Sequence, residues 1–458
     1  MIDAAKHRLN LDRRQVLTVV VVGLLILSAW SLGALVQMLG LRLVMIAALG
    51  PLMLVAVLWR TEIGIFLLMV LPMFVPMLLI PAASQVQGRE VNVLHFLAAA
   101  IIASWLLRKM LVDRRLTLPK TALTAPLIAL WGIWLLTWIA GYVFWDSRVP
   151  TVHRQPLFFV AEFGQLLLFS GVFWATADSV HSDRTALVVC LAAIASKALS
   201  PFLFGHLLYF EYPVAAGLLV SLLAFGMLTW PLRAALIAAI PIFAWDIWSA
   251  NRIPISLGVV AAALTVIFLR SRRLFVVAAL VALVVGGAGF RARWYADPSV
   301  PARLMLAKLA LTMFRDHPLL GIGPTHYRSY ALLYHHGVSY GWDKVENGML
   351  LPHNIWLYFL ANTGIVGLAG MLWLVAAIAW SSLSAHRRAT EPLTRALAAG
   401  TLACIVAVLV QSIGGHAGLL PEYNTLGPYV LPVWILMGLL AARHQPEQPD
   451  HPGASHAG

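Results

Sequence analysis

The sequence predicts an all-α polytopic membrane protein with about 12–14 transmembrane helices and one long loop that contains short helices. Three observations carry this. Hydrophobic residues make up 61% of the chain and charged residues 11%, where a soluble chain carries about 25% charged. The mean hydropathy is +0.84. Many uncharged windows exceed roughly 18 residues, the length that crosses about 30 Å of hydrocarbon, and they lack the alternation of barrel strands.

Taken in order, the apolar runs fall at 16–38, 43–59, 63–81, 91–111, 123–145, 157–177 and 186–206. They continue at 213–230, 234–249, 254–269, 274–290, 355–380, 396–414 and 428–442. Lys6, Arg8, Arg13 and Arg14 before the first run give it the look of a signal sequence. Its apolar part is too long and no small-residue cleavage site follows, so it reads as a retained first span. Cys190 and Cys404 lie inside apolar runs, which argues against disulfides and thiolate metal sites. No internal repeat stands out.

An even number of spans puts both termini on one side. Alternation from a cytoplasmic N-terminus gathers Arg60, Arg108, Lys109, Arg114, Arg115, Lys120, Arg184 and Arg233 on the cytoplasmic side. Arg270, Arg272, Arg273, Arg387, Arg388, Arg395 and Arg443 join them. The outer short loops hold only Arg42, Arg89, Arg148, Arg154 and Arg252, the asymmetry that positive-inside sorting produces. The net charge of +13 then reflects sorting and an anionic membrane surface, with a phosphate-bearing substrate as the second reading, and no nucleic-acid partner is expected. The chain divides into helices over 1–290, an outward loop over 291–353, helices over 354–443 and a polar, disordered cytoplasmic tail over 444–458.

The outward loop holds the chemically capable residues. His353 follows Pro352 and precedes Asn354, a good helix cap, which sets an imidazole at the outer mouth of a membrane helix. It reads either as a proton acceptor near neutral pH or as an interfacial His bonded to a loop carbonyl. Arg252 sits in a tight outer turn, with Asp246 about one helical turn earlier. It reads as a fork for phosphate or as an Arg that snorkels or pairs with Asp246. Arg303 opens a run of Leu, Met and Ala that should lie along the membrane surface, and substrate and lipid headgroups are equal candidates for it and Lys308. Lys197, near the outer end of its span, either snorkels or serves a function. Arg148 and Arg154 flank a short outer loop. Asp316 to Pro324 reads as a helix end and tight turn packed on the bundle, and Gly364, Gly367 and Gly370 as a close-packing face.

There is no P-loop, no HExxH, no zinc-ligand spacing and no Asp-x-Asp pair, and outward carboxylates are few. A reaction without metal or cofactor is expected. ATP and nucleotide sugars are absent outside the cytoplasm, so chemistry there needs a donor that is already activated and membrane-borne.

Four features together resemble the O-antigen ligase and polymerase superfamily of bacterial envelope proteins. They are Asn251-Arg252 opening a span, Ser299 followed by Arg303, Asp316 to Pro324, and Pro352-His353-Asn354 with Leu357, Gly364 and Gly367 beyond. The resemblance covers roughly 245–380. Members commonly carry Ser where Asn251 stands, and Thr325-His326-Tyr327 replaces a more usual small-polar-aromatic run. The resemblance implies an enzyme of the bacterial inner membrane with a periplasmic active site. That enzyme transfers a glycan, with inversion, from undecaprenyl pyrophosphate to a sugar hydroxyl of the lipid A–core. It implies Arg252 and Arg303 on the pyrophosphate and His353 on the acceptor hydroxyl or leaving group, with Lys197, Arg154, His326, Tyr327 and Asn354 around the substrate. Alternatives are a polysaccharide polymerase of the superfamily, a protein O-oligosaccharyltransferase and a non-enzymatic transporter. Only a short tail after Leu440 argues against the second, and few polar residues within the spans argue against the third.

Overall fold

The computed structural model describes residues 51–71, 93–149, 155–204, 212–226, 228–250, 253–296, 300–334, 352, 354–413 and 431–443. The retained first span, the tail, Arg154, Arg252 and His353 lie outside these residues. Among the described residues there are fifteen helices and no strand, so the fold is all-α. The first are α1 (51–59), α2 (Thr61–Val70), α3 (Val93–Leu111), α4 (Thr124–Val143) and α5 (Gln155–Ser179). Next come α6 (Asp183–Phe204), α7 (Tyr212–Phe225), α8 (Trp230–Ala250), α9 (Ile253–Arg270) and α10 (Arg272–Ala296). The last are α11 (Val300–Asp316), α12 (Tyr327–Tyr334), α13 (Ile355–Arg388), α14 (Pro392–Gln411) and α15 (Leu431–Ala442).

Apolar runs become helices because hydrocarbon offers no partner for backbone N–H and C=O groups, and a helix satisfies them internally. Among the described residues, four helices are long and apolar enough to cross a membrane: Leu94–Leu111, Thr124–Val143, Ile355–Arg388 and Pro392–Gln411. Five further apolar helices are shorter; the 14 residues of α7 rise only about 21 Å. Two helices outrun their apolar runs. α10 continues past 290 to Ala296, and α13 past 380 to Arg388. Charge ends hydropathy, but Arg, Ala and Ser continue a helix without penalty large enough to stop it.

The centre of the bundle is α14, which packs against α7, α9, α13 and α15. Small residues let the backbones approach, as helix pairing in lipid requires. Gly217 of α7 faces Ala403 and Cys404 of α14, and Gly400 of α14 faces Ser221 of α7. By contrast α10 packs on α9 and exposes Leu274, Val277, Leu283 and Val284 as an apolar outer surface.

Charged side chains gather at one end of the bundle. There Lys109 pairs with Asp178 at 2.8 Å, Trp105 Nε1 donates to the same carboxylate at 2.9 Å, and Arg443 pairs with Asp183. Arg270 lies 6.0 Å from the Phe225 ring, which meets His386 at 4.8 Å. The opposite end carries Asn354 and the start of α13.

Candidate functional site at the opposite end of the bundle

The site is built on the start of α13. Asn354 takes an extended conformation and caps this helix: its Oδ1 accepts from the Leu357 amide at 3.1 Å. Its Nδ2 donates to the Ile413 carbonyl at 3.1 Å, and the Ile355 amide donates to the Ser412 carbonyl at 3.2 Å. The start of α13 is thereby pinned to the end of α14. The cap expected from sequence is present, and it also joins two helices.

Gln411, the last residue of α14, is fully buried, and neither its amide oxygen nor its nitrogen has a hydrogen-bond partner among the described residues. Two other helices begin beside it. α9 comes so close at Gly258 that a methyl there would lie 3.3 Å from Gln411 Cβ and 3.0 Å from Pro213 Cγ of α7. Next to Pro213, the Tyr212 ring lies 6.0 Å from the Nζ of Lys197, which is buried near the end of α6. A Lys held inside an apolar bundle is costly, so its place among these helix ends matters.

Arg303 reaches the same region from another direction. In α11, Leu306, Leu309, Ala310 and Met313 are buried and follow the spacing of one helical face, and α11 packs on α13. Arg303 lies one turn before Leu306 on that face and is half-buried, while Lys308 faces outward. This buried face is taken by α13, while Leu304 and Leu311 stay exposed on the other side of the helix. Tyr327 OH donates to the Leu306 carbonyl at 3.2 Å, and burial pushes this phenol's pKa well up. Its ring lies 6.3 Å from Tyr358, whose amide donates to the Asn354 carbonyl at 2.9 Å. The helix of Arg303 is thus tied to the first turn of α13.

The Asp316–Pro324 turn does more than end a helix. α13 breaks at Gly364, where φ is 63° and ψ is −161°. In an unbroken helix the amides of Ile365 and Val366 would bond the carbonyls of Ala361 and Asn362. Here the Ile365 amide donates to the Pro318 carbonyl at 2.9 Å and the Val366 amide to the Leu319 carbonyl at 3.3 Å. In return the Ile322 amide donates to the Ala361 carbonyl at 3.0 Å and the Gly323 amide to the Asn362 carbonyl at 2.9 Å. Two helical bonds are exchanged for four between loop and helix. Gly364 therefore breaks the helix rather than serving as a packing face. Gly370 does make a close contact, with a methyl there lying 2.7 Å from Ile133 of α4.

His326 locks the loop from its other side. Its Nδ1 lies 2.8 Å from the Ile322 carbonyl, which can only accept, so Nδ1 carries the proton and Nε2 is an acceptor, buried without a partner among the described residues. Tyr142 and Trp145 stand edge-on to the ring at 4.9 Å and 5.1 Å. Burial drives its pKa down to about 4, opposed by the Ile322 bond, so the ring is neutral near pH 7. Thr325 beside it is buried with φ at 72°, a left-handed conformation that costs a β-branched residue about 1–3 kcal/mol. On the surface nearby, Arg148 pairs with Asp146 at 2.6 Å and holds that carboxyl down to about 2.

Lys197, Arg303, Tyr327 and Asn354 are linked through this framework of helix ends, and His326 belongs to the loop that braces it. Sequence reasoning missed Gln411, Tyr142 and Trp145. Gln411 left a signal, being an amide in the run 396–414, whereas the two aromatics look like ordinary interfacial residues.

Comparison with curated proteins finds no match to the chain. A family model described as O-antigen ligase matches residues 214–372. That segment covers about a third of the chain and runs from the first turn of α7 to a point beyond the break in α13. It contains Arg252, Arg303, the Asp316–Pro324 turn and His353. Over these residues the chain is similar to the O-antigen ligase family, and its long apolar helices are those of a membrane protein.

Proposed function

We propose that the protein is an O-antigen ligase of the bacterial inner membrane with a periplasmic active site. It transfers O-antigen polysaccharide from undecaprenyl pyrophosphate to a sugar hydroxyl of the lipid A–core. The observation that supports this most is the meeting of helix ends inside the family-matched segment. The helix after Arg252, the helix of Arg303 and the helix after His353 all reach one end of the bundle, where Lys197 and Asn354 also lie.

The chemistry follows from the leaving group. The acceptor hydroxyl oxygen attacks the anomeric carbon of the first sugar, its proton passes to a base, and the bond from that carbon to the pyrophosphate oxygen breaks. In-line attack inverts the anomeric centre. Pyrophosphate departs as an anion and scarcely needs a general acid. Arg252 and Arg303 neutralise the growing charge as fixed donors, a contribution worth about 10²–10³ in rate for one such group. His353 contacts the acceptor hydroxyl as base, or the leaving group. Lys197 and Arg154 add positive potential, Asn354 holds the helix that follows His353, and His326 and Tyr327 keep the loop and α11 in register against the substrate.

A chromosomal deletion tests this reading. The ligase account predicts lipid A–core bare of O-antigen, with lipid-linked polymer accumulating. Core capped by a single repeat would indicate the polymerase of the same superfamily, and unchanged lipopolysaccharide would sink both.

A further inference from the structure

The C-terminal end of α13 lines a second concave site, roughly 40 Å along the helix from its start. A cavity of 280 Å³ opens between the segment before α4, the last turns of α13, and the faces of α14 and α15. Its volume suits a headgroup more than a large ligand, since ligand pockets commonly span about 300–1,000 Å³.

Two features mark it as a binding site for an anion. The first is a pair of hydroxyls. Elsewhere in the bundle, helical hydroxyls donate back to the carbonyl four residues earlier: Ser170 to Leu166 at 2.8 Å, Thr176 to Val172 at 2.7 Å, Thr265 to Ala261 at 2.8 Å. Ser381 and Ser382 line the cavity and have buried oxygens with no partner among the described residues, and Ser382 is fully buried. A buried hydroxyl without a partner carries a desolvation penalty that a ligand oxygen would remove. The second is charge. Lys120 and Arg388 line the same cavity, both exposed and neither in an ion pair among the described residues, and no carboxylate is among the lining residues. The apolar part of the wall includes Met437 and Trp380, and Trp380 is 70% exposed on the outer surface of the bundle. A tryptophan there is typical of the membrane–water interface.

We propose that this cavity binds the phosphate-bearing headgroup of an anionic membrane lipid. Lys120 and Arg388 meet the phosphate, Ser381 and Ser382 donate to its oxygens, and the first carbons of the acyl chain lie along Trp380. The cavity is at the cation-rich end of the bundle. Facing the cytoplasmic leaflet follows from the orientation proposed above, whereas binding itself is independent of that orientation and of the ligase reading.

Native mass spectrometry of the full-length protein released from detergent tests it, with phosphatidylglycerol, phosphatidylcholine and inorganic phosphate as probes. The wild type should retain one phosphatidylglycerol with roughly tenfold or greater preference over phosphatidylcholine, as two cations at an anionic lipid warrant. The Lys120→Ala/Arg388→Ala variant should lose that preference. Ser382→Leu, which fills the cavity, should lose retention while its thermal midpoint shows the protein folded. Equal retention of the two lipids, or unchanged preference in the double variant, overturns the proposal. So does displacement of phosphatidylglycerol by inorganic phosphate at the lipid's own midpoint concentration, which would make the site one for free phosphate.

Discussion

The two ends of α13 handle polarity in opposite ways. Near its start the helix gives up two of its own hydrogen bonds at Gly364 and exchanges backbone groups with the 318–323 loop, so the amides of Ile365 and Val366 and the carbonyls of Ala361 and Asn362 are paired within the protein. Near its finish the backbone is regular helix, but the hydroxyls of Ser381 and Ser382 have no partner among the described residues and stand beside two cations. The first end uses polarity to fix a shape. The second keeps polarity for a molecule from outside. Under the proposed function the first arrangement suits the helix that Asn354 caps and that packs against the helix of Arg303, because a misplacement of about 1 Å in a catalytic site can cost 10²-fold in rate.

The contrast can be broken most strongly at Gly321. Its φ is 65°, and a methyl there would run into the Asn362 carbonyl. Gly321→Ala should lose about 2–5 kcal/mol, the sum of left-handed strain and overlap, read as a fall in the unfolding midpoint in detergent. Gly132→Ala in α4, where a methyl would meet nothing within 4 Å, should stay within about 1 kcal/mol of wild type.

The loop should also make the protein sensitive to acid. His326 is held neutral down to about 4 in the folded state, against about 6.5 in the unfolded chain. Between these values only the unfolded state takes up the proton. Stability from this group is therefore complete above pH 6.5, falls as pH drops towards 4 and levels off below, for roughly 3 kcal/mol in all. Unfolding measured across this window should show that slope in the wild type and lose it in His326→Gln.

Smaller effects are expected where one bond is removed. Tyr327→Phe removes the phenol's bond to the Leu306 carbonyl and should cost about 0.5–1.5 kcal/mol. Asn354→Ala removes a cap and the tie to Ile413, again about 1–2 kcal/mol. The smallest change belongs to the far end: Ser382→Ala breaks no bond among the described residues and should shift stability by less than about 0.5 kcal/mol in lipid-free detergent.

Much of this was legible in the sequence. Apolar runs located the helices because lipid leaves the backbone little alternative, and Asn354 after a proline announced a helix start. The glycines of the 316–324 turn announced a tight turn. What escaped was long-range pairing. Gly364, Gly367 and Gly370 have the spacing of a packing face, and nothing local distinguishes the first as a break whose hydrogen bonds come from residues 318–323. Gln411 was visible as a polar residue, but its neighbours Gly258 and Pro213 come from distant parts of the chain. Hydropathy also misjudged the ends of α10 and α13, because it records departure from apolar composition and not the end of a helix.

The central claim is that Arg303 acts on the pyrophosphate from a pre-built framework. Its most direct test is glycan transfer by purified protein in proteoliposomes, from undecaprenyl-pyrophosphate-linked O-antigen to lipid A–core, with Arg303→Ala beside wild type. The account predicts a rate lower by about 10²–10³ with an unchanged unfolding midpoint. Full transfer by the variant, or a loss that only follows a fall in stability, would contradict it.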